Sequence, residues 1–223
     1  MNLPAAPLRY AAAGYGQRWT AHNSYGMKHR KMCSPCVKFC PVTPSRWPDL
    51  EALFGERGAC GGCWCMAWRL PPKEWKAGKG ARNKRALKRL VSGHDAPGVL
   101  AYLGRTPVGW CAVAPRSAYS HLVRSRVLRP VDDQPVWSIS CLFVLKPHRR
   151  QGLSVRLLEA AVALAAKGGA RIVEGYPTQP YAQNVPDPFL WTGTVSAFRR
   201  AGFAEVTRRS TNRPIMRRHC SGR

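Results

Sequence analysis

Residues 136–175 constrain the fold more than any other stretch of the chain. VWSISCLFVL (Val136–Leu145) is apolar and rich in β-branched and aromatic side chains, which reads as a strand. Strict alternation puts Val136, Ser138, Ser140, Leu142 and Val144 on one face and Trp137, Ile139, Cys141 and Phe143 on the other. A basic turn, HRRQGLS (His148–Ser154), follows Lys146-Pro147. A helix is then expected from about Ser154 to Lys167, with Leu157, Leu158, Ala161, Leu164 and Ala165 at helical spacing and Gly168-Gly169 closing it. Arg171–Gly175 is a second, short strand.

The flanks extend this unit. Thr43-Pro44 opens a helix whose apolar positions are 47, 50, 53 and 54, and Gly55 ends it. Arg82–Val91 reads as a basic helix burying Ala86, Leu87, Leu90 and Val91. Gly98–Leu103 and Pro107–Ala114 form a hairpin around Gly104-Arg105-Thr106. After a Pro-rich loop (Tyr176–Pro188) come a helix at Thr194–Arg200 and short strands at Phe203–Thr207 and Pro214–Arg218. The expected fold is α/β (α+β): a mixed, mostly antiparallel sheet with helices on both faces, spanning residues 38–219. Residues 1–36 lack acids and apolar periodicity, and are expected to be a disordered basic extension. Met27 and Met32 inside it are alternative start positions.

A turn that leaves a strand and opens a helix aims several backbone N–H groups at one spot, and the helix dipole adds positive potential there. Gly152 permits close backbone approach, Ser154 is small, and His148, Arg149 and Arg150 add charge. Physically this is a pyrophosphate cradle. Taken alone, the same residues also describe an ordinary strand-to-helix turn with solvated arginines.

LFVLKPHRRQGLSVRLLEAAVALAAKGGA resembles the acyl-CoA-binding region of the GNAT superfamily of N-acyltransferases. The family pattern Q/R-x-x-G-x-G/A falls on Arg149-Arg150-Gln151-Gly152-Leu153-Ser154, with Ser154 in place of Gly or Ala. FRRAGFAEV (Phe198–Val206) and GWCAVAP extend the likeness on either side. The resemblance implies a sheet splayed between its fourth and fifth strands, with acetyl-CoA as co-substrate in the splay. The backbone of Leu142, Phe143 and Val144 would bond the pantetheine arm. The turn Arg149, Arg150, Gln151, Gly152, Leu153 and Ser154 would hold the pyrophosphate. It further implies acetyl transfer from acetyl-CoA to an amine by direct attack on the thioester.

That chemistry needs a base, a donor for the leaving thiolate and support for the oxyanion. The family's usual Tyr in the last helix is Phe198 here, which has no proton to give. Tyr176, Tyr181 and water are the substitutes, with Tyr181 taken as the candidate. Glu174 is the candidate base, because it is the only acid between Glu159 and Asp187. The plainer reading of Glu174 is an exposed strand-end carboxylate paired with Arg171 or another arginine.

Thirty-six Lys+Arg against 11 Asp+Glu give a net charge of +25, spread along the chain. Residues 69–89 alone hold nine basic residues and one acid. Such a balance suits nucleic acid, a ribosome or an anionic substrate. The alternative function is therefore a basic nucleic-acid-binding module, zinc-stabilised by its cysteines, on an acyltransferase-like scaffold. Cys33, Cys36, Cys40, Cys60, Cys63 and Cys65 have spacings that zinc sites use. Small apolar-like thiols in a core explain them equally simply, and no metal is assigned. With no membrane span and no secretory signal, a cytoplasmic location is the expectation.

Overall fold

The computed structural model describes residues 37–93, 96–180, 185–186 and 189–220. The expected N-terminal extension lies outside them, as do Cys33, Cys36 and Tyr181. Seven strands form one sheet in the order β1-β2-β3-β4-β5-β7-β6. They are β1 Val37–Pro41, β2 Gly98–Leu103, β3 Thr106–Pro115, β4 Trp137–Val144, β5 Ile172–Gly175, β6 Ala204–Arg208 and β7 Pro214–His219. Every neighbouring pair is antiparallel except β4 and β5.

That exception comes from α5 (Leu153–Lys167), which carries the chain back so that β5 starts beside the start of β4. The pairing stops at Ile139 opposite Gly175, while β4 runs on to Val144. The two strands part there, and the splay expected from the sequence opens between them.

Apolar faces put helices on both sides of the sheet. The α5 side chains Leu157, Leu158, Ala161 and Ala165 are fully buried on one face of the sheet, over β2, β3 and β4, in one cluster with Val195 and Phe198 of α6 (Val195–Arg200). The opposite face is covered by α1 (Trp47–Phe54), α3 (Ala81–Val91) and the segment holding Trp64–Met66. Two further helices are short. They are α2 (Pro72–Ala77), with Pro at its first turn, and α4 (Ser120–Val123), which is too brief to leave a period in the sequence.

Strict alternation fails in β4. Ala112 pairs with Cys141 and Val113 with Ile139, so Ser140 is the extra residue of a β-bulge. In consequence Ile139 and Leu142 share the α5 face, while Cys141 and Phe143 pack toward α1. This corrects the expected grouping of Ile139 with Cys141 and Phe143. The bulge falls where the parallel pairing ends.

Gly175 has a steric duty at the same place. A Cβ there would lie 2.0 Å from Cε1 of Phe198, so the α6 ring sits flat on the bare backbone of β5. Gly175→Ala should destabilise the protein by about 1–3 kcal/mol through overpacking. Equilibrium denaturation of the variant reads this; an unchanged midpoint would mean that Phe198 moves aside freely.

Candidate functional site

The turn between β4 and α5 is built as its sequence suggests. Gly152 is the N-cap of α5 in the left-handed conformation (φ 76°, ψ 1°), and its carbonyl accepts from Val155 N at 3.1 Å and Arg156 N at 3.3 Å. The amides ahead of these, at the first turn of the helix, are left for a ligand or water. Arg150 is also left-handed, at φ 60°, an uncommon and strained setting for a residue with a Cβ. Two left-handed residues so close together curl the backbone into an anion-binding concavity. Arg149 Nε donates to the Val144 carbonyl at 2.8 Å, and Gln151 Nε2 to the Pro147 carbonyl at 3.0 Å. Both bonds brace the turn against the end of β4.

The concavity forms one end of a cleft of about 530 Å³. Leu142, Phe143 and Val144 line its wall, as do Arg149, Arg150, Gly152, Leu153 and Ser154. Of the candidate ligand-holding residues only Gln151 is absent from the lining; its exposed side chain is spent on the brace. Other lining groups come from elsewhere in the chain. Arg200, at the end of α6, places Nη2 3.9 Å from where a Gly152 Cβ would be. Thr194 and Ser196 of the α6 N-terminus also face the cleft, and Thr194 Oγ1 caps that helix by accepting from Ala197 N. From the other side of the sheet come Ala59 and Cys60, in a loop where Gly58, Ala59, Gly61, Gly62, Trp64 and Cys65 all have positive φ.

Trp191 closes over the splay. Its carbonyl accepts from the Leu142 N–H at 2.7 Å. Its ring lies 5.8 Å from Trp68, which in turn lies 4.9 Å from His121. A second strand group is engaged as well, since Arg149 takes the Val144 carbonyl. Two of the backbone positions expected to bond pantetheine thus have partners within the chain.

Glu174 is not brought to this cleft. It is fully buried, with Oε1 accepting from Tyr176 Oη at 2.6 Å and from Arg116 Nη1 at 3.0 Å, and Oε2 from Arg217 Nε at 2.8 Å. The Tyr176 oxygen accepts from Arg116 at 2.5 Å and bonds Ser138 Oγ at 2.9 Å. Burial, then the Glu174 carboxylate, pushes the Tyr176 hydroxyl well above its ordinary range, so its proton stays on the bond to Glu174. Arg217 reaches on to both oxygens of Asp132, which this pairing holds below the usual carboxylate range. Glu174 therefore anchors β5 to β3, β4 and β7. Both its oxygens are occupied, and it lines a separate small hollow beside Asp132 and Arg116 instead of the cleft. The alternative reading of the carboxylate is corrected in two respects: it is buried, not exposed, and its arginine partners are Arg116 and Arg217, not Arg171.

Phe198 is buried beneath Gly175 and Gly193, so a proton donor is absent from that position. Cys65 and Cys141 touch at 3.2 Å, and Trp110 Nε1 donates to Cys65 Sγ at 3.0 Å, as core thiols do. Burial, then Cys65, pushes the Cys63 thiol up to about 11. Among the described residues no three His, Cys, Asp or Glu side chains are grouped to hold a metal ion. Among them, too, no helix is long and apolar enough to cross a membrane.

The sequence profile of the Acetyltransferase (GNAT) family matches residues 64–185, more than half of the chain. The chain belongs to the GNAT acetyltransferase family. The matched residues hold the hairpin, β4, the Gly152 turn, α5 and β5 of this GNAT fold. No curated protein sequence matches the chain. Solved structures are similar at low identity. One is the PaiA N-acetyltransferase of Thermoplasma acidophilum with coenzyme A: 14% identity, 83% of this chain and 99% of that one, TM-score 0.48. An acetyltransferase of Thermus thermophilus has 20% identity over 85% of this chain and 100% of its own, TM-score 0.46. A GNAT acetyltransferase of Streptococcus pneumoniae has 13% identity over 83% and 99%, TM-score 0.48.

Proposed function

We propose that this GNAT protein transfers an acetyl group from acetyl-CoA to the amine of an acceptor, by direct attack of the amine on the thioester. The observation that carries the reading is the left-handed Arg150–Gly152 turn at the N-terminus of α5, opening into the cleft along β4. Unpaired backbone N–H groups and a helix dipole suit a pyrophosphate. Arg200 brings a guanidinium to the same place from α6 and joins Arg149 and Arg150 as a phosphate partner. Pantetheine then runs along Leu142, Phe143 and Val144 toward the Ser140 bulge. The bulge turns backbone groups out of the β-ladder, where an N–H can support the oxyanion of the attacked thioester.

The protein's part in the chemistry is orientation and electrostatics. A neutral amine attacks the thioester carbon, the nitrogen gives up its surplus proton to water, and the tetrahedral oxyanion collapses to the amide as the C–S bond breaks and the CoA thiolate leaves to be protonated. Tyr181 stays a proposed donor to that thiolate, although its position lies outside the described residues. Glu174 contributes by fixing the strand at which the splay opens.

The test uses the full chain. CoA at 100-fold its dissociation constant should stabilise it by about 2.7 kcal/mol through linkage. Thiol release from acetyl-CoA, read with a chromogenic disulfide, should then depend on an added amine: a polyamine, a free amino acid or a peptide with a free N-terminus. No stabilisation by millimolar CoA would overturn the reading.

A further inference from the structure

The residues from Lys73 to Arg89 form the most strongly charged surface among the described elements. They include eight cations, Lys73, Lys76, Lys79, Arg82, Lys84, Arg85, Lys88 and Arg89, and one acid, Glu74. Lys84 alone of these has an ion-pair partner among the described residues, Glu51. The other seven are exposed. Of the acids elsewhere, Glu174 is committed to Arg116 and Arg217, Asp132 to Arg217, and Glu205 to Arg199 and Arg208. Clustered, uncompensated cations repel one another, and a polyanion relieves that repulsion.

The layout narrows the partner. Arg82, Arg85 and Arg89 stand three and four residues apart, one exposed stripe along about 10 Å of α3 at 1.5 Å per residue. Guanidinium forks suit phosphate oxygens. Among the described residues the exposed large apolar side chains are Val123, Phe189 and Val206, none of them on α2 or α3, so these two helices offer nothing to insert into a bilayer. Trp75, half-buried on α2, lies among the lysines, with Lys79 Nζ 5.4 Å from its ring centre. An aromatic ring set between cations is what a single-stranded nucleic acid uses, stacking a base while its phosphates follow the charges.

The surface is tied to the cleft. Gly62, two residues beyond the cleft-lining Cys60, accepts at its carbonyl from Gly80 N at 2.9 Å and from Asn83 Nδ2 at 3.4 Å. The N-terminus of α3 and the loop on the cleft wall are thereby one hydrogen-bonded unit. We infer that α2 and α3 form a docking surface for single-stranded nucleic acid, held through its phosphates, which brings the strand to the edge of the acyl-transfer cleft. This goes beyond the transfer reading, and its binding step does not depend on it.

A mixed-sequence 20-nucleotide RNA titrated into the full chain at several salt concentrations tests this. The wild type should bind with an affinity that falls steeply with salt. R82E/R85E/R89E should weaken binding at least tenfold at 0.1 M salt. It should also flatten the slope of log K on log salt by about 2, since each of three phosphates left without its arginine accounts for about 0.7. R124E/R126E/R129E makes the same change of net charge on another exposed segment and should bind RNA nearly as the wild type does. Circular dichroism on each sample reports folding, and stabilisation by CoA, measured alongside, separates failure of this inference from failure of the transfer reading. The inference is overturned if RNA does not bind, if both triple variants lose binding equally, or if polyglutamate or anionic lipid vesicles compete as well as RNA does.

Discussion

Replacing Gly152 by aspartate should abolish CoA binding and leave the fold standing. The backbone there has φ 76°, so any side chain brings left-handed strain of about 1 kcal/mol. Space is not the obstacle, because a Cβ at this position meets only Arg200 Nη2, at 3.9 Å. Charge is what decides the outcome. The carboxylate would sit at the N-terminus of α5, within reach of Arg200, where the pyrophosphate is proposed to bind, and would both take up its partners and repel it. Gly152→Ala carries the strain without the charge and is the control. Isothermal titration should find CoA binding weakened but present in the alanine variant and absent in the aspartate variant, with matching circular dichroism. If the aspartate variant folds and binds CoA as the parent does, the anion site lies elsewhere.

Glu174→Ala should cost about 3–5 kcal/mol, because it removes one partner from a buried ion cluster and strands the rest. Arg116 and Arg217 are 12% and 7% exposed at their side chains, and the buried Tyr176 hydroxyl would lose its carboxylate acceptor and keep only Ser138 Oγ. In a domain of this size the loss lowers Tm by about 6–20 °C. Glu174→Gln separates an anchor from a base. It preserves one oxygen acceptor and loses the charge. An anchor then loses stability and keeps its turnover in whatever fraction remains folded. A base would stay stable and lose kcat. A Gln variant of wild-type Tm with no turnover would restore Glu174 to the chemistry.

The two predictions differ in how far the sequence anticipates them. The Gly152 turn is a local object: a strand, a glycine and an amphipathic helix in succession force its geometry, and the residues that build it are adjacent. Glu174 is legible in the sequence as an isolated acid with some arginine for a partner, but not which arginine, nor that it is buried. Its partners Arg116 and Arg217, and the Asp132 that Arg217 also holds, lie on a strand end, the last strand and a loop, and only the sheet order brings them together. Arg200, Trp191 and Cys60 reach the cleft by the same long-range route and leave no local signal. The bulge at Ser140 was hidden for a different reason: an apolar strand buried on both faces does not show by alternation where its register slips. The edge strand β1 and helices α2 and α4 are too short to carry a period of their own.

The bond from Leu142 N–H to the Trp191 carbonyl has a thermodynamic consequence. A pantetheine carbonyl that takes the same N–H does not gain a hydrogen bond; it exchanges one for another. The swap is close to neutral in itself, so the affinity left for CoA depends on where the released Trp191 carbonyl and indole come to rest. On that proposed placement, Trp68 beside the indole and His121 behind it would enter the dissociation constant without touching the ligand. Ligand affinity would then be the difference between two occupants of one strand edge, the resident occupant being part of the chain.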